Sequence, residues 1–157
     1  MQTKNLMEIR NATAEDAPAI SRLIGSVARF FTLQPDGAGA EDFLKTISPE
    51  SVAGYLTDPR FAYFKAEQDG ALAGVVAVRD ASHLYHLFVD ASCQRQGLSR
   101  QLWDHARAAV RDTNPGYFTV NSTPYAQPVY ERFGFVATGP RVETKGIAFV
   151  PMRLTIA

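Results

Sequence analysis

The stretch "FAYFKAEQDGALAGVVAVRDASHLYHLFV", residues 61–89, constrains the fold more than any other part of the chain. Two strand-like runs meet at Asp69-Gly70, a pair that accepts the left-handed dihedrals of a two-residue hairpin turn. "HLYHLFV" then predicts a third strand, apolar at both alternating sets of positions. A strand of that kind is covered on both faces.

The flanking sequence supplies the cover. "LMEIRNA" reads as a short strand, and Thr13 can cap a helix whose first turn carries Glu15 and Asp16. Ile20, Leu23, Ile24 and Val27 give that helix one apolar stripe. "QPDGAGA" breaks it, a second helical stretch spans about Glu41 to Ile47, and Ser48-Pro49 starts a short helix ending near Asp58-Pro59. After the third strand, a helix from about Gly97 to Val110 carries Leu98, Leu102, Ala106 and Ala109 on one side. "GYFTVNS" is a further strand, a short helix follows near Ala126 to Phe133, and "FVATG" and "IAFVPMRLTI" close the chain as strands. The expected order is β-α-α-β-β-β-α-β-α-β-β, an α/β (α+β) mixed sheet with helices on both faces.

A chain of 157 residues, 46% hydrophobic and 20% charged, predicts a single domain over residues 1–157. "MQTKNL", residues 1–6, precedes the patterned part and is expected to be a flexible extension. Sixteen basic residues balance sixteen acidic ones, so no global field draws nucleic acid or an anionic membrane. No apolar run is long enough for a bilayer and no leader pattern opens the chain. Cys93 stands alone, which excludes an internal disulfide framework and suits a reducing compartment. Cytoplasmic localisation is the expectation.

"VDASCQRQGLSRQLW", residues 89–103, joins the third strand to the long helix through a glycine. A helix start leaves backbone N–H groups unpartnered under partial positive charge, and phosphate binds there if no side chain blocks it. Gly97 removes a Cβ, Ser99 keeps the next turn small, and Arg95 and Arg100 add positive charge. The junction fits an anion cradle, although a plain strand-to-helix turn would also use a glycine.

"LFVDASCQRQGLS" resembles the acetyl-CoA-binding motif of the GNAT superfamily of N-acetyltransferases, a Leu-x-Val strand end followed by (Gln/Arg)-x-x-Gly-x-(Gly/Ala). Gln94, Gly97 and Ser99 fill its fixed positions, with serine in place of glycine or alanine. "YAQPVYERFGF" is similar to the family's later helix with Tyr-x-x-x-Gly-Phe, matched by Tyr130, Gly134 and Phe135. The element order agrees from about Glu8 onward. The chain is thus identified, by resemblance, as a bacterial-type member whose substrate the sequence does not name.

That resemblance implies an enzyme: an acyltransferase moving the acetyl group of acetyl-CoA to a primary amine by direct attack in a ternary complex. The amides of Arg95, Gln96, Gly97, Leu98, Ser99 and Arg100 would hold the diphosphate, and Leu87, Phe88 and Val89 the pantetheine arm. The strand carrying "TVNS" would splay away to open a slot for the thioester. An N–H near Phe88 or Val89 would then face its carbonyl. Tyr130 matches the tyrosine that protonates the departing thiolate and also borders the cofactor; read alone, it is an aromatic packing its helix on the sheet.

For the base, His83 falls at the position of a family glutamate or histidine, while His86 has the opposite strand parity and can simply face a helix. Water is the other option. Asn121 can bond to the pantetheine arm, yet it lies nine residues before Tyr130, where relatives place their asparagine at seven, here Thr123. Cys93 has no sequence-local histidine or lysine to activate it as a nucleophile. No metal is implied.

The acceptor would enter between the first helices and the last hairpin. "ARFFTLQPDGAGAEDF" offers Phe30, Phe31 and Phe43 among Asp36, Glu41 and Asp42, a mix that could hold an amine by cation–π contact or ion pairing, or could be core packing beside a solvated loop. A small molecule and a protein amino group both remain open, and relatives commonly form homodimers. Two rivals stand beside this reading. One is a non-catalytic acyl-CoA-binding or regulatory module of the same fold. The other, a dinucleotide-binding domain, is disfavoured because "QRQGLS" is not Gly-x-Gly-x-x-Gly.

Overall fold

A computed structural model describes residues 7–156, so the expected extension at 1–6 lies outside the described residues. β1 (Met7–Asn11) leads through a 3₁₀ turn into α1 (Ala17–Val27), followed by α2 (Glu41–Thr46) and α3 (Pro49–Thr57). β2 (Phe61–Gln68), β3 (Ala71–Arg79) and β4 (His83–Val89) run consecutively. α4 (Leu98–Ala109), β5 (Tyr117–Ser122), α5 (Gln127–Arg132), β6 (Val136–Ala137), β7 (Val142–Thr144) and β8 (Ile147–Thr155) complete the chain.

The strand order is β1-β2-β3-β4-β5-β8-β6, with β7 also paired to β8. Every pairing is antiparallel except β4–β5, whose connection crosses over through α4. Alternation along β3 divides the core in two. Val76 and Val78 pack with Leu102, Trp103, Phe118 and Met152 on the α4 side. Val75 and Ala77 pack with Ile20, Ile24, Val52 and Tyr63 on the α1–α3 side. Each large side chain buried this way contributes roughly 1.5–3 kcal/mol, so neither face can be uncovered without unfolding.

Three helices separate β1 from β2, at the three helical stretches read from sequence, although the expected element order counted two. Ser48 Oγ accepts the Ser51 N–H at 3.2 Å and Pro49 opens α3, so the break after Ile47 is a capped helix start. The first helix also begins later than Thr13: Thr13 N–H donates to Asp16 Oδ2 at 2.8 Å within the 3₁₀ turn, and α1 proper follows with Pro18 in its first turn. Near the end of the chain, "FVATG" contributes only the two residues of β6. The added β7 forms a hairpin with β8 through Lys145 (φ 49°) and Gly146 (φ 78°). No helix among the described residues is long and apolar enough to cross a membrane.

Candidate active site

β4 and β5 pair through His83–Thr119 and Leu84–Val120 and then part. The cause lies on the other side of β4. Val78 faces Leu84 but Ala77 faces His86, so Tyr85 is an extra residue, a β-bulge that twists the strand away. β5 meanwhile stays paired to β8 as far as Ser122. A slot of about 130 Å³ results, bordered by Phe30 and Phe31 from the α1 side and Tyr130 from α5.

Backbone alternation fixes which amides face this slot. Asp90 N–H donates to Ala73 O at 2.8 Å, so Phe88, two residues earlier, also turns its N–H toward β3. Leu87 and Val89 therefore point theirs into the gap. This corrects the expectation for Phe88, whose ring still lines the slot, and leaves Val89 with Leu87 as the candidate donors. Gln94 Nε2 donates to Val89 O at 3.2 Å, taking up a carbonyl that β5 has abandoned.

β4 does not run straight into the helix: a 3₁₀ turn, Ala91–Cys93, intervenes, held by the Ser92 N–H donating to Asp90 Oδ2 at 3.0 Å. Arg95 (φ 65°) and Gly97 (φ 78°) are both left-handed, which curls the loop into a concave row of amides. The first bond inside α4 runs from Gln101 N to Gly97 O at 3.2 Å, leaving the amides of Leu98, Ser99 and Arg100 without helical partners. A Cβ added to Gly97 would meet nothing within 4 Å, so open space lies beside this residue.

That space belongs to a groove of about 660 Å³ between α4 and α5, bordered by Arg95, Gly97, Leu98, Ser99, Arg100 and Arg132. Gln96 is the exception among the expected loop residues. Its Nε2 donates to Ser92 O at 3.4 Å, away from the groove. Groove and slot share Leu87, Val89, Gln94, Tyr125, Ala126 and Tyr130 as walls, so one opens into the other.

Tyr130 sits in that shared wall, 6% exposed, with no acceptor for its hydroxyl among the described residues; burial pushes its pKa up. Asn121 and Thr123 both line the slot, but Thr123 Oγ1 is already occupied by the Ala126 N–H at 3.0 Å. The Asn121 side chain has no such bond among the described residues. Cys93 lines the groove with Sγ 3.6 Å from Gln68 Oε1.

The histidines lie apart from the slot. His86 is buried with Nδ1 2.9 Å from Tyr63 Oη, and burial pushes its pKa down to about 3. His83 stands at the closed end of the strand pair, Nδ1 2.7 Å from Thr119 Oγ1, its pKa lowered by burial and then by Arg79. The bulge cancels the opposite parity expected from sequence: both rings contact Tyr85, with centroids 6.5 and 4.5 Å away.

On the acceptor side, Phe43 packs edge-on behind Phe31 at 5.8 Å and does not reach the slot. The carboxylates are engaged elsewhere. Asp36 accepts from Ala38 N, Glu41 from Gly39 N, and Asp42 pairs with Lys145 at 3.7 Å. Phe30 has Arg29 over its ring at 4.6 Å and Tyr125 stacked on it at 4.8 Å, which leaves it no free face for a ligand cation. Of the two readings the sequence left open, core packing beside a solvated loop fits better, with Phe30 and Phe31 also walling the slot.

Sequence reasoning missed Tyr125, whose hydroxyl donates to Gln94 Oε1 at 3.2 Å, and Arg132 on the groove. The available signal for Arg132 was its i, i+4 spacing from Pro128, which gives the two residues one face of α5. Among the described residues, no three His, Cys, Asp or Glu side chains gather as a metal site requires.

A row of unpartnered amides opening onto a parted sheet is a layout that suits a CoA-type acyltransferase. The sequence profile of the acetyltransferase (GNAT) domain matches residues 31–156, and the chain belongs to that family. Solved structures share its fold at low identity. A GCN5-related N-acetyltransferase structure from Rhodopseudomonas palustris matches at 16% identity, 99% of both chains and a TM-score of 0.77. PaiA N-acetyltransferase from Thermoplasma acidophilum, solved with coenzyme A, matches at 15% identity over 96% of this chain and 99% of its own, TM-score 0.75. The ribosomal-protein-S18-alanine N-acetyltransferase of Escherichia coli matches at 20% identity over 97% and 95%, TM-score 0.73. Comparison with curated protein sequences yields no match.

Proposed function

We propose that this acyltransferase moves the acetyl group of acetyl-CoA directly to a primary amine in a ternary complex. The observation that supports it most is the junction of groove and slot, where an amide-lined cradle opens onto a gap with inward N–H groups. The fold relative solved with coenzyme A supports the same ligand here.

The groove fits that ligand on chemical grounds. Amides at the start of α4, with Arg95, Arg100 and Arg132 around them, suit a diphosphate, and the space before Gly97 admits it. Leu87 and Val89 offer the backbone edge that a pantetheine arm would pair with, and Asn121 has a free amide across the slot. When bound, acetyl-CoA supplies an activated acetyl thioester.

The chain's own residues do the rest. The walls hold two reactants in one narrow gap, which turns a bimolecular encounter into a local one. Leu87 or Val89 donates its N–H to the carbonyl oxygen as charge grows there. Tyr130, kept protonated by burial and with no hydroxyl partner among the described residues, gives its proton to the departing sulfur. The slot walls hold no carboxylate or imidazole, so the amine's proton leaves through water to His83, which burial keeps neutral. Cys93 has no activating base in contact, so transfer needs no acyl-cysteine. A lone thiol also supports a cytoplasmic setting.

A melting curve with acetyl-CoA, followed by CoA release across an amine panel, tests the proposal. A raised Tm with no amine releasing CoA would indicate a binding module instead. No shift at all would overturn the proposal.

A further inference from the structure

We infer that the acceptor is a small monoamine with an aromatic or apolar, uncharged tail, rather than a polyamine or a protein amino group; this rests on the acetyl-transfer reading above. The wall facing α1 is built from Val27, Phe30, Phe31, Tyr85 and Phe88, and no Asp, Glu, Lys or Arg lines the slot. Arg29, outside that lining, holds its guanidinium 4.6 Å from the Phe30 ring centre. A second ammonium on the acceptor would lose its water here and find no counter-ion in the slot lining.

Size points the same way. The slot measures only about 130 Å³ and must also admit the thioester, which favours a small acceptor over a long polyamine.

The rim disfavours an extended chain. Directly after Phe31, Thr32 bridges to Ile147 and Leu33 N–H donates to Gly146 O at 2.8 Å. Gly146 lies so near the opposite backbone that a Cβ there would sit 2.4 Å from Gly39 C. The loop between α1 and α2 is thereby locked, main chain to main chain, onto the β7–β8 turn. The acceptor's expected entrance between these two edges is thereby narrowed, which favours a small amine over an extended chain.

The test compares 2-phenylethylamine, spermidine and a short peptide with a free N-terminus, by CoA release at saturating acetyl-CoA. The aromatic monoamine should exceed both others in kcat/KM by about tenfold or more. Phe31→Glu puts a carboxylate into the wall and should move the preference toward spermidine by about tenfold. Should that variant not fold, Phe31→Leu keeps the wall apolar and should weaken 2-phenylethylamine through KM. Spermidine or peptide preferred by the wild type, with acetyl-CoA still raising the Tm, overturns this inference and leaves acetyl transfer standing. If acetyl-CoA gives no shift, both fail together.

Discussion

Tyr63 Oη and His86 Nδ1 meet at 2.9 Å over the methyl group of Ala77, which separates them in a row across β2, β3 and β4. The bond fits a neutral imidazole with its proton on Nε2. Burial holds His86 to about 3, whereas an unfolded histidine titrates near 6.5. Between those values the unfolded chain binds more protons, so stability is fully present above about pH 6.5 and falls as pH drops. The slope should reach about 1.4 kcal/mol per pH unit. His83, also shifted down, adds to it with the same sign. His86→Phe should start less stable, by about 1–3 kcal/mol for the orphaned Tyr63 hydroxyl, yet lose stability more gently on acidification. Urea midpoints across pH measure both effects, and an unchanged slope in the variant would reject the assignment.

Gly97 offers a second test, because its conformation and its surroundings act separately. A β-branched residue at φ 78° is strained, at about 1–3 kcal/mol, while its side chain projects into empty groove. Gly97→Val should therefore fold with a Tm lowered by several degrees and lose the stabilisation that acetyl-CoA gives the wild type. That stabilisation is about 2.7 kcal/mol when the ligand stands at a hundred times its Kd. Gly97→Ala shares the strain but blocks less, and should keep part of the shift. A full shift in the valine variant would show that the diphosphate lies elsewhere.

The parts of this molecule legible from sequence are those set by local chemistry. Asp69 (φ 53°) and Gly70 (φ 83°) form the hairpin turn their residue types prescribe, and α4 spans Leu98–Ala109 where its apolar spacing placed it. The bulge at Tyr85 was not legible, because it depends on how β3 and β4 register, and no periodicity in either strand marks it. With it went the true facing of His83 and His86 and the choice of inward amides. The Phe30–Tyr125–Gln94 chain was equally hidden. Its members come from three distant segments, and only the tertiary fold brings the ring pair to 4.8 Å.

Tyr130→Phe separates proton donation from packing. The ring fills the core beside Phe133 and Phe135, while the hydroxyl has no hydrogen-bond partner to lose among the described residues. Stability should therefore stay within about 0.5 kcal/mol. If the hydroxyl is the acid, kcat should fall by about a hundredfold, within the range for general acid catalysis, with acetyl-CoA affinity nearly unchanged. Steady-state kinetics beside an acetyl-CoA titration resolve the two. A kcat within about threefold of wild type would leave Tyr130 a packing residue and assign the proton to water.

His83 can be judged by the shape of a pH profile. A base works only when unprotonated, and burial, then Arg79, lowers the pKa of His83 below 6.5. Wild-type kcat/KM should thus climb through an acidic limb positioned below 6.5 and carry no second histidine limb near it, since burial holds His86 down to about 3. His83→Gln keeps a polar group beside Thr119 but cannot take up the proton. It should erase that limb and lower the plateau by about tenfold or more, with the acetyl-CoA Tm shift retained as evidence of an intact groove. If the limb persists in His83→Gln, the amine surrenders its proton to solvent unaided, and the imidazole serves only to pin β4 to Thr119 where the two strands are still joined.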